Sequence, residues 1–495
     1  MTTRARAPRD LLCGLPLALL LAASALPLVF LVGRFAVLPA VDLSLLAPSL
    51  AFAVTGAAVS AIAGGALGAV AGTLEVPGRR WAVGVSAALM AAPPGFWWIG
   101  LTRLPVGWGS PSGALIGGGV AGLVLAPITL LLVLAAAREI PSNGYEAARL
   151  SLRPAHRFVF VLFPLLRSAV IAGFLLTVIL LLGESEIPFL FGFRTSMTDV
   201  VTTFSQTFEA GRTLPVILPL IVTVLVLALL MMRPLFAVIL PPPSGGRGVV
   251  RKPTGALVAV SMLGLPLVAG LSLGGYAWAA ISGGDGLWRR LPLDTSTVAV
   301  SIAEPVLCAL VSVGLAVLAA YPLRRAFAIR PLTMIGVLLF CVPAAVAAIG
   351  WIGVGQALGG ISVAPAVAYV SRTIGLPALG FLIAYSRVPQ SLDDAARLVC
   401  LSPIRRAWTL GLPLLVPSLA ATAALTAALI FADRDVASLL LTPGASRLML
   451  NLYLVSANAP SAVIGVTALI VFVAGATVVV VAGAGPFVLW LRRRG

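Results

Sequence analysis

Two short stretches, 248 residues apart, carry the most suggestive side chains in this sequence. Glu146-Ala147-Ala148-Arg149-Leu150 and Asp394-Ala395-Ala396-Arg397-Leu398 repeat one order of acid, paired alanines, arginine and leucine. Asn143 stands three residues before Glu146, and Ser391 three before Asp394, the spacing of a helix-capping box. The acid then falls in the first helical turn, where the helix dipole favours negative charge. Pro154 and Pro403 end each helix. The alanine pair leaves one face nearly bare, so another backbone can approach closely. Arg149 and Arg397, followed by Arg153, Arg157, Arg405 and Arg406, supply a charged rim. Such a helix is built to dock a partner.

Other chemistry is poorly supplied. One histidine, His156, cannot assemble a histidine-based metal site, and Cys13, Cys308, Cys341 and Cys400 form no CxxC pair. No catalytic or metal-ligating set is expected. A nucleotide-binding P-loop requires a Gly-Lys-Ser/Thr ending. The only lysine, Lys252, lies between Arg251 and Pro253, so this chain is not expected to hydrolyse ATP or to act as an enzyme.

The elements that hold the two stretches follow from composition. Of 495 residues, 60% are hydrophobic and 10% charged, and mean hydropathy is +1.10. Soluble domains carry about 25% charged residues. The chain therefore reads as an all-α polytopic membrane protein, its main surroundings the lipid bilayer. A net charge of +17 invites a nucleic-acid reading, but the basic residues are scattered between apolar runs with no basic face, and no nucleic-acid partner is expected. Runs long enough to cross about 30 Å of hydrocarbon predict twelve spans. They are 11–33, 45–73, 81–101, 113–137, 165–183 and 214–240, then 255–281, 296–322, 331–354, 361–386, 410–432 and 461–490. With both termini in the cytoplasm, 24 basic residues face inward and eight outward, with Arg372 inside a span. That bias fixes the expected orientation.

The spans fall into two parallel sets of six. Residues 1–240 form the first repeat, with its long loop at 138–164. The Pro/Gly-rich segment 241–254 is a linker, and residues 255–495 form the second repeat, with its loop at 387–413. Phe163-Pro164-Leu165-Leu166 matches Leu412-Pro413-Leu414-Leu415 at an offset of 249, and Glu186-Ile187 matches Asp435-Val436 at the same offset. Repeats in one orientation imply a pseudo-two-fold axis along the membrane normal.

On these residues the chain resembles the membrane-spanning subunits of bacterial binding-protein-dependent ABC importers. Their motif opens with Glu-Ala-Ala, places a Gly four residues on, and closes thirteen residues later at the Pro of a Leu-Pro pair. Glu146-Ala147-Ala148 and Asp394-Ala395-Ala396 are similar to the opening, Phe163-Pro164 and Leu412-Pro413 to the close. Cys400 stands at the Gly position of the second copy; the first copy is one residue shorter, with Ser151 or Leu152 there. The resemblance implies that each loop forms a coupling helix seated in one of two copies of a separate cytoplasmic ATPase, which holds ATP and magnesium. This chain would itself bind no cofactor. It also implies an extracytoplasmic solute-binding protein and a place in the bacterial inner membrane. Fused permeases of this kind look most like those for ferric iron and thiamine, and Ala437-Ser-Leu-Leu-Leu-Thr-Pro-Gly444 is similar to the iron-type branch.

Charges at membrane depth are functional candidates because they are expensive there. Glu304 in span eight and Arg372 in span ten qualify, and Glu186 and Asp435 hold matched positions at the ends of spans five and eleven. These four are the candidates for a translocation path. The alternative reading is a twelve-span secondary transporter of the major facilitator type, since Gly72–Arg80 is similar in part to that family's loop between spans two and three. A repeated loop after span four has no role in that alternative.

Overall fold

The computed structural model describes residues 7–33, 41–74, 79–105, 112–140, 150, 152–153, 156, 158–239, 263–282, 294–321, 329–386, 388, 391–392, 395, 398, 411–442 and 444–491. Their regular structure is helical. In chain order the helices are α1 (Ala7–Gly33), α2 (Leu46–Thr73), α3 (Arg79–Ala88), α4 (Pro94–Thr102), α5 (Ala114–Arg138), α6 (Phe163–Leu182), α7 (Glu186–Leu190), α8 (Ser196–Thr207), α9 (Ala210–Ile239) and α10 (Gly264–Ser282). They continue with α11 (Thr295–Ala320), α12 (Ile329–Cys341), α13 (Ala344–Ala357), α14 (Pro365–Thr373), α15 (Gly375–Ser386), α16 (Leu412–Ala432), α17 (Asp435–Leu440), α18 (Leu448–Asn458) and α19 (Ser461–Leu491).

Among the described residues, nine helical segments are long and apolar enough to cross a bilayer, or ten if α12 and α13 count as one bent span. The protein is thus an all-helical, multi-pass membrane protein. Nine of the twelve expected spans each coincide with one of these segments, α14 and α15 together forming one of them. The first is present as α1, whose apolar stretch Leu15–Leu31 is shorter. The third and ninth are broken, not continuous. Pro93 and Pro343 sit extended at the breaks, with ψ of 158° and 142°. Proline lacks the N–H that would continue the helix and pushes its predecessor out of the helical region. The α12–α13 pair turns through 95° there.

One compact unit comprises residues 38–291 and 452–470. Its centre is a seam between α2 and α5. Gly56, Ser60, Gly64, Gly68 and Gly72 recur every fourth residue on one face of α2; Gly118 and Gly122 of α5 meet Gly56 backbone to backbone, and Gly64 and Gly68 face the Ala126 and Leu130 carbonyls. Without a hydrophobic drive between helices in lipid, small residues that allow such approach provide the packing. Within the seam Ser60 Oγ lies 3.2 Å from both Thr129 Oγ1 and Thr177 Oγ1, uniting α2, α5 and α6. Helix α10 packs on α4, where Gly275 meets Gly100 and the Tyr276 hydroxyl donates to the Phe96 carbonyl at 2.6 Å.

The other unit comprises residues 1–37, 292–451 and 471–495. Here α11 packs on α16 and α15, and α12 on α15 through a contact of Gly336 with Gly375. Helix α1 lies along α13, with Pro27 against Gly350 and Phe30 against Gly353. These units do not follow the sequence halves. The first helix of each half, α1 or α10, belongs to the unit built mainly from the other half.

Matched details recur in the two units. The pattern Asp42-x-Ser44-x-x-Ala47-x-Ser49-x-Ala51 returns as Asp294-x-Ser296-x-x-Ala299-x-Ser301-x-Ala303. Ser44 holds the Asp42 carboxyl below its ordinary value by hydrogen bonding, and Ser296 does so for Asp294. Ser49 Oγ accepts the Ser196 backbone N–H at 2.8 Å, and Ser301 Oγ accepts that of Leu448 at 3.0 Å. In each unit a serine near the start of a long helix thus caps α8 or α18, 147 residues onward.

Candidate functional site: the loop bases and the buried ion pairs

Of the residues expected to couple to an ATPase, Glu146, Ala147, Ala148, Arg149, Asp394, Ala396, Arg397 and Cys400 lie outside the described residues. Ala395 is helical and exposed. Pro164 and Pro413 occupy the same place, at the start of α6 and α16, where a missing N–H costs nothing. Leu150 and Leu398, matched in the repeated motif, are 92% and 87% exposed. The burial of a leucine stabilises by about 1.5–3 kcal/mol, so two presented at equivalent points are suited to covering by a partner.

The first loop is held at its base. Ile140, where it departs, and Leu162, where it returns, share one buried cluster with Val133, Ala137, Leu166 and Val238. A five-residue wide turn, Phe158–Leu162, leads into α6, and His156 stacks on the exposed Phe160. The second loop is flanked by aromatics. The Tyr321, Phe381 and Tyr385 rings follow one another at 6.4 and 5.9 Å, and Gly411 lies beside Tyr321.

The four path candidates are drawn inward. Glu304 on α11 receives Arg447 Nε at 2.6 Å, and the two side chains are 15% and 18% exposed. Arg372 at the end of α14 donates from Nε to the Val342 carbonyl at 3.1 Å and from Nη1 to Asp433 Oδ2 at 2.8 Å. Its guanidinium also lies over the Phe340 ring, 5.4 Å from the centroid. Asp433 Oδ1 accepts the Val436 N–H at 3.1 Å, fixing the turn into α17, and Asp435 pairs with Arg434 at 3.2 Å. Ser301, Glu304, Tyr369, Asp433, Arg447 and Met449 are among the residues lining a cavity of ≈ 20 Å³ between the two ion pairs. That is room for a water, not for a solute.

Glu186 in the other unit is also buried. Its carboxyl lies against Gly95, at the start of α4. The first N–H groups of a helix lack partners and attract negative charge, which explains why this acid turns inward. Asp435 is the matched residue, but the surrounding charges are not matched. At an offset of 252, Glu304 corresponds to Phe52 and Arg447 to Thr195. Arg447 is one of the eight basic residues that the expected orientation places on the outward side. The Leu448 N–H to Ser301 Oγ hydrogen bond places residue 447 beside α11, a link the sequence does not announce. Among the described residues, no group of three or more His, Cys, Asp or Glu could hold a metal ion.

No protein-family model matches the chain, and comparisons with curated proteins and with solved structures return no match. The class of protein is defined by the fold alone: helical, multi-pass and membrane-embedded.

Proposed function

We propose that this chain is the permease subunit of an ATP-driven importer, moving a small solute delivered by an extracytoplasmic binding protein. The observation that carries this reading is the repeated loop: two copies of one motif, each presenting an exposed leucine at the same position. A partner with two equivalent grooves fits that arrangement, and a pair of cytoplasmic ATPase subunits is such a partner. ATP and magnesium belong to those subunits, because this chain lacks a P-loop. The first loop starts and ends in one buried cluster with α5, α6 and α9, and α2 meets α5 backbone to backbone. A displacement of the loop therefore carries four helices together. Ferric iron or thiamine is the favoured cargo, on the resemblance to fused permeases of those types, with residues 437–444 similar to the iron-type branch. Specificity then rests with the binding protein, consistent with spans that offer paired charges and small residues.

Leu150→Asp and Leu398→Asp, separately and together, test the reading. The expected result is normal membrane insertion, with loss of ATPase subunits from the purified complex and loss of uptake in the double variant. Normal uptake by the double variant would overturn it.

A further inference from the structure

The break between α12 and α13 leaves backbone carbonyls with no helical partner at membrane depth, where every such group must find one inside the protein. The two units meet this demand differently. At the break between α3 and α4, the Trp97 indole donates to the Leu89 carbonyl at 2.8 Å. At the break between α12 and α13, Arg372 donates to the Val342 carbonyl at 3.1 Å. An indole has one donor and ends there. A guanidinium has five in a fixed fork, and Arg372 uses another to hold Asp433 at 2.8 Å. Asp433 in turn accepts the N–H of Val436 in α17.

The geometry points to Arg372 as a positioning residue: a two-armed clamp that sets the bend of α12–α13 and locks it to the turn between α16 and α17. Its two arms join the orphan Val342 carbonyl to the Asp433 carboxylate, beside the buried cluster in which Ala344 and Ala348 of α13 pack on Val436 and Leu440 of α17. The Phe340 ring lies beneath the guanidinium, 5.4 Å from its Cζ to the ring centroid. Lysine is not equivalent, since a single ammonium on a flexible stem cannot hold this fixed two-acceptor geometry. The position corresponds, at the offset of 248, to the buried Val124 of the other unit, so the clamp is confined to one break.

The test is a distance across the bend. Spin labels at Ile335→Cys and Gln356→Cys, both exposed, are measured by pulsed electron paramagnetic resonance in the full chain in lipid nanodiscs, with the native cysteines replaced by alanine. The labelled backbone positions lie about 9 and 18 Å from the break at 1.5 Å per residue. Opening the 95° bend by about 30° therefore lengthens the distance by about 3–4 Å. Arg372→Met should lengthen or broaden the distribution by that amount, and Arg372→Lys should broaden it while keeping the charge. The exchange Arg372→Asp with Asp433→Arg should restore folded yield but not the distance, because the Val342 arm is absent. A wild-type distribution in Arg372→Lys, which decides the matter if Arg372→Met does not fold, would overturn the clamp. Full recovery of the distance by the charge exchange would do the same.

Discussion

Replacing Gly68 by alanine tests the α2–α5 seam directly. A Cβ at Gly68 would lie 2.6 Å from the Leu130 carbonyl oxygen and 2.9 Å from Val133 Cβ. Ordinary contact begins near 3.4 Å, so the helices must part by about 0.8 Å, and the obstacle is partly backbone and cannot rotate away. A gap of that size forfeits about a quarter to a half of each facing dispersion contact. Overpacking of this kind costs about 1–3 kcal/mol. Gly65 is the control. A Cβ there meets only Val170 Cγ2 at 3.7 Å, and alanine is favoured over glycine inside a helix by about 0.8–1 kcal/mol. That gain applies to both substitutions, so the difference between them isolates the packing, about 1–3 kcal/mol or 5–150-fold in the unfolding equilibrium. Unfolding by sodium dodecyl sulfate, followed by the fluorescence of the nine tryptophans, supplies the comparison. Equal midpoints for Gly68→Ala and Gly65→Ala would show that the seam is not closely packed and refute the reasoning.

Other outcomes follow from the paired details. Ser49→Ala and Ser301→Ala should destabilise by similar amounts, about 1–3 kcal/mol each, because both remove the acceptor of a helix-starting N–H; a loss confined to one would deny them a common role. Arg447→Met should cost about 3–5 kcal/mol by leaving Glu304 buried and unpaired, whereas Arg447→Met with Glu304→Met should recover most of it; a double variant no better than the single one contradicts this account. Single cysteines at Gly211 and Ala445 should react only with reagent added outside the cell, and those at Leu150 and Gly245 only from the cytoplasm. Any reversal among the four breaks the orientation inferred from the arginines.

Hydropathy made most spans legible because each is a local property of about 20 residues. The breaks were half legible. The run Ala92-Pro93-Pro94 announces a kink, and the structure realises it with Phe96 and Trp97 buried beside the break. Pro343 likewise marks the second break, but nothing local announces the 95° size of the turn or the Arg372 hydrogen bond to Val342, 30 residues away. Glu304 and Arg372 were recognisable as costly charges, but their partners were not, since Arg447 and Asp433 are 143 and 61 residues distant. The Asp-x-Ser repeat at 42–51 and 294–303 was present in the sequence. Its offset of 252 differs from the 248–249 of the loops because unequal connections intervene, and a search at one offset passes over it.

The exchange of first helices has a consequence for how the protein is made. Helix α1 is made long before α13, against which it lies and which ends at residue 357. Its Pro27 and Phe30 surface must wait in lipid through the synthesis of more than half the chain. The unit around α2 and α5 likewise stays incomplete until residues 452–470 are made. Domains that fold as they emerge normally close in order, the N-terminal one first. This chain cannot. A chain cut short at residue 240 would carry α1 without α13 and α4 without α10. A chain divided after residue 240 therefore does not yield two self-sufficient pieces.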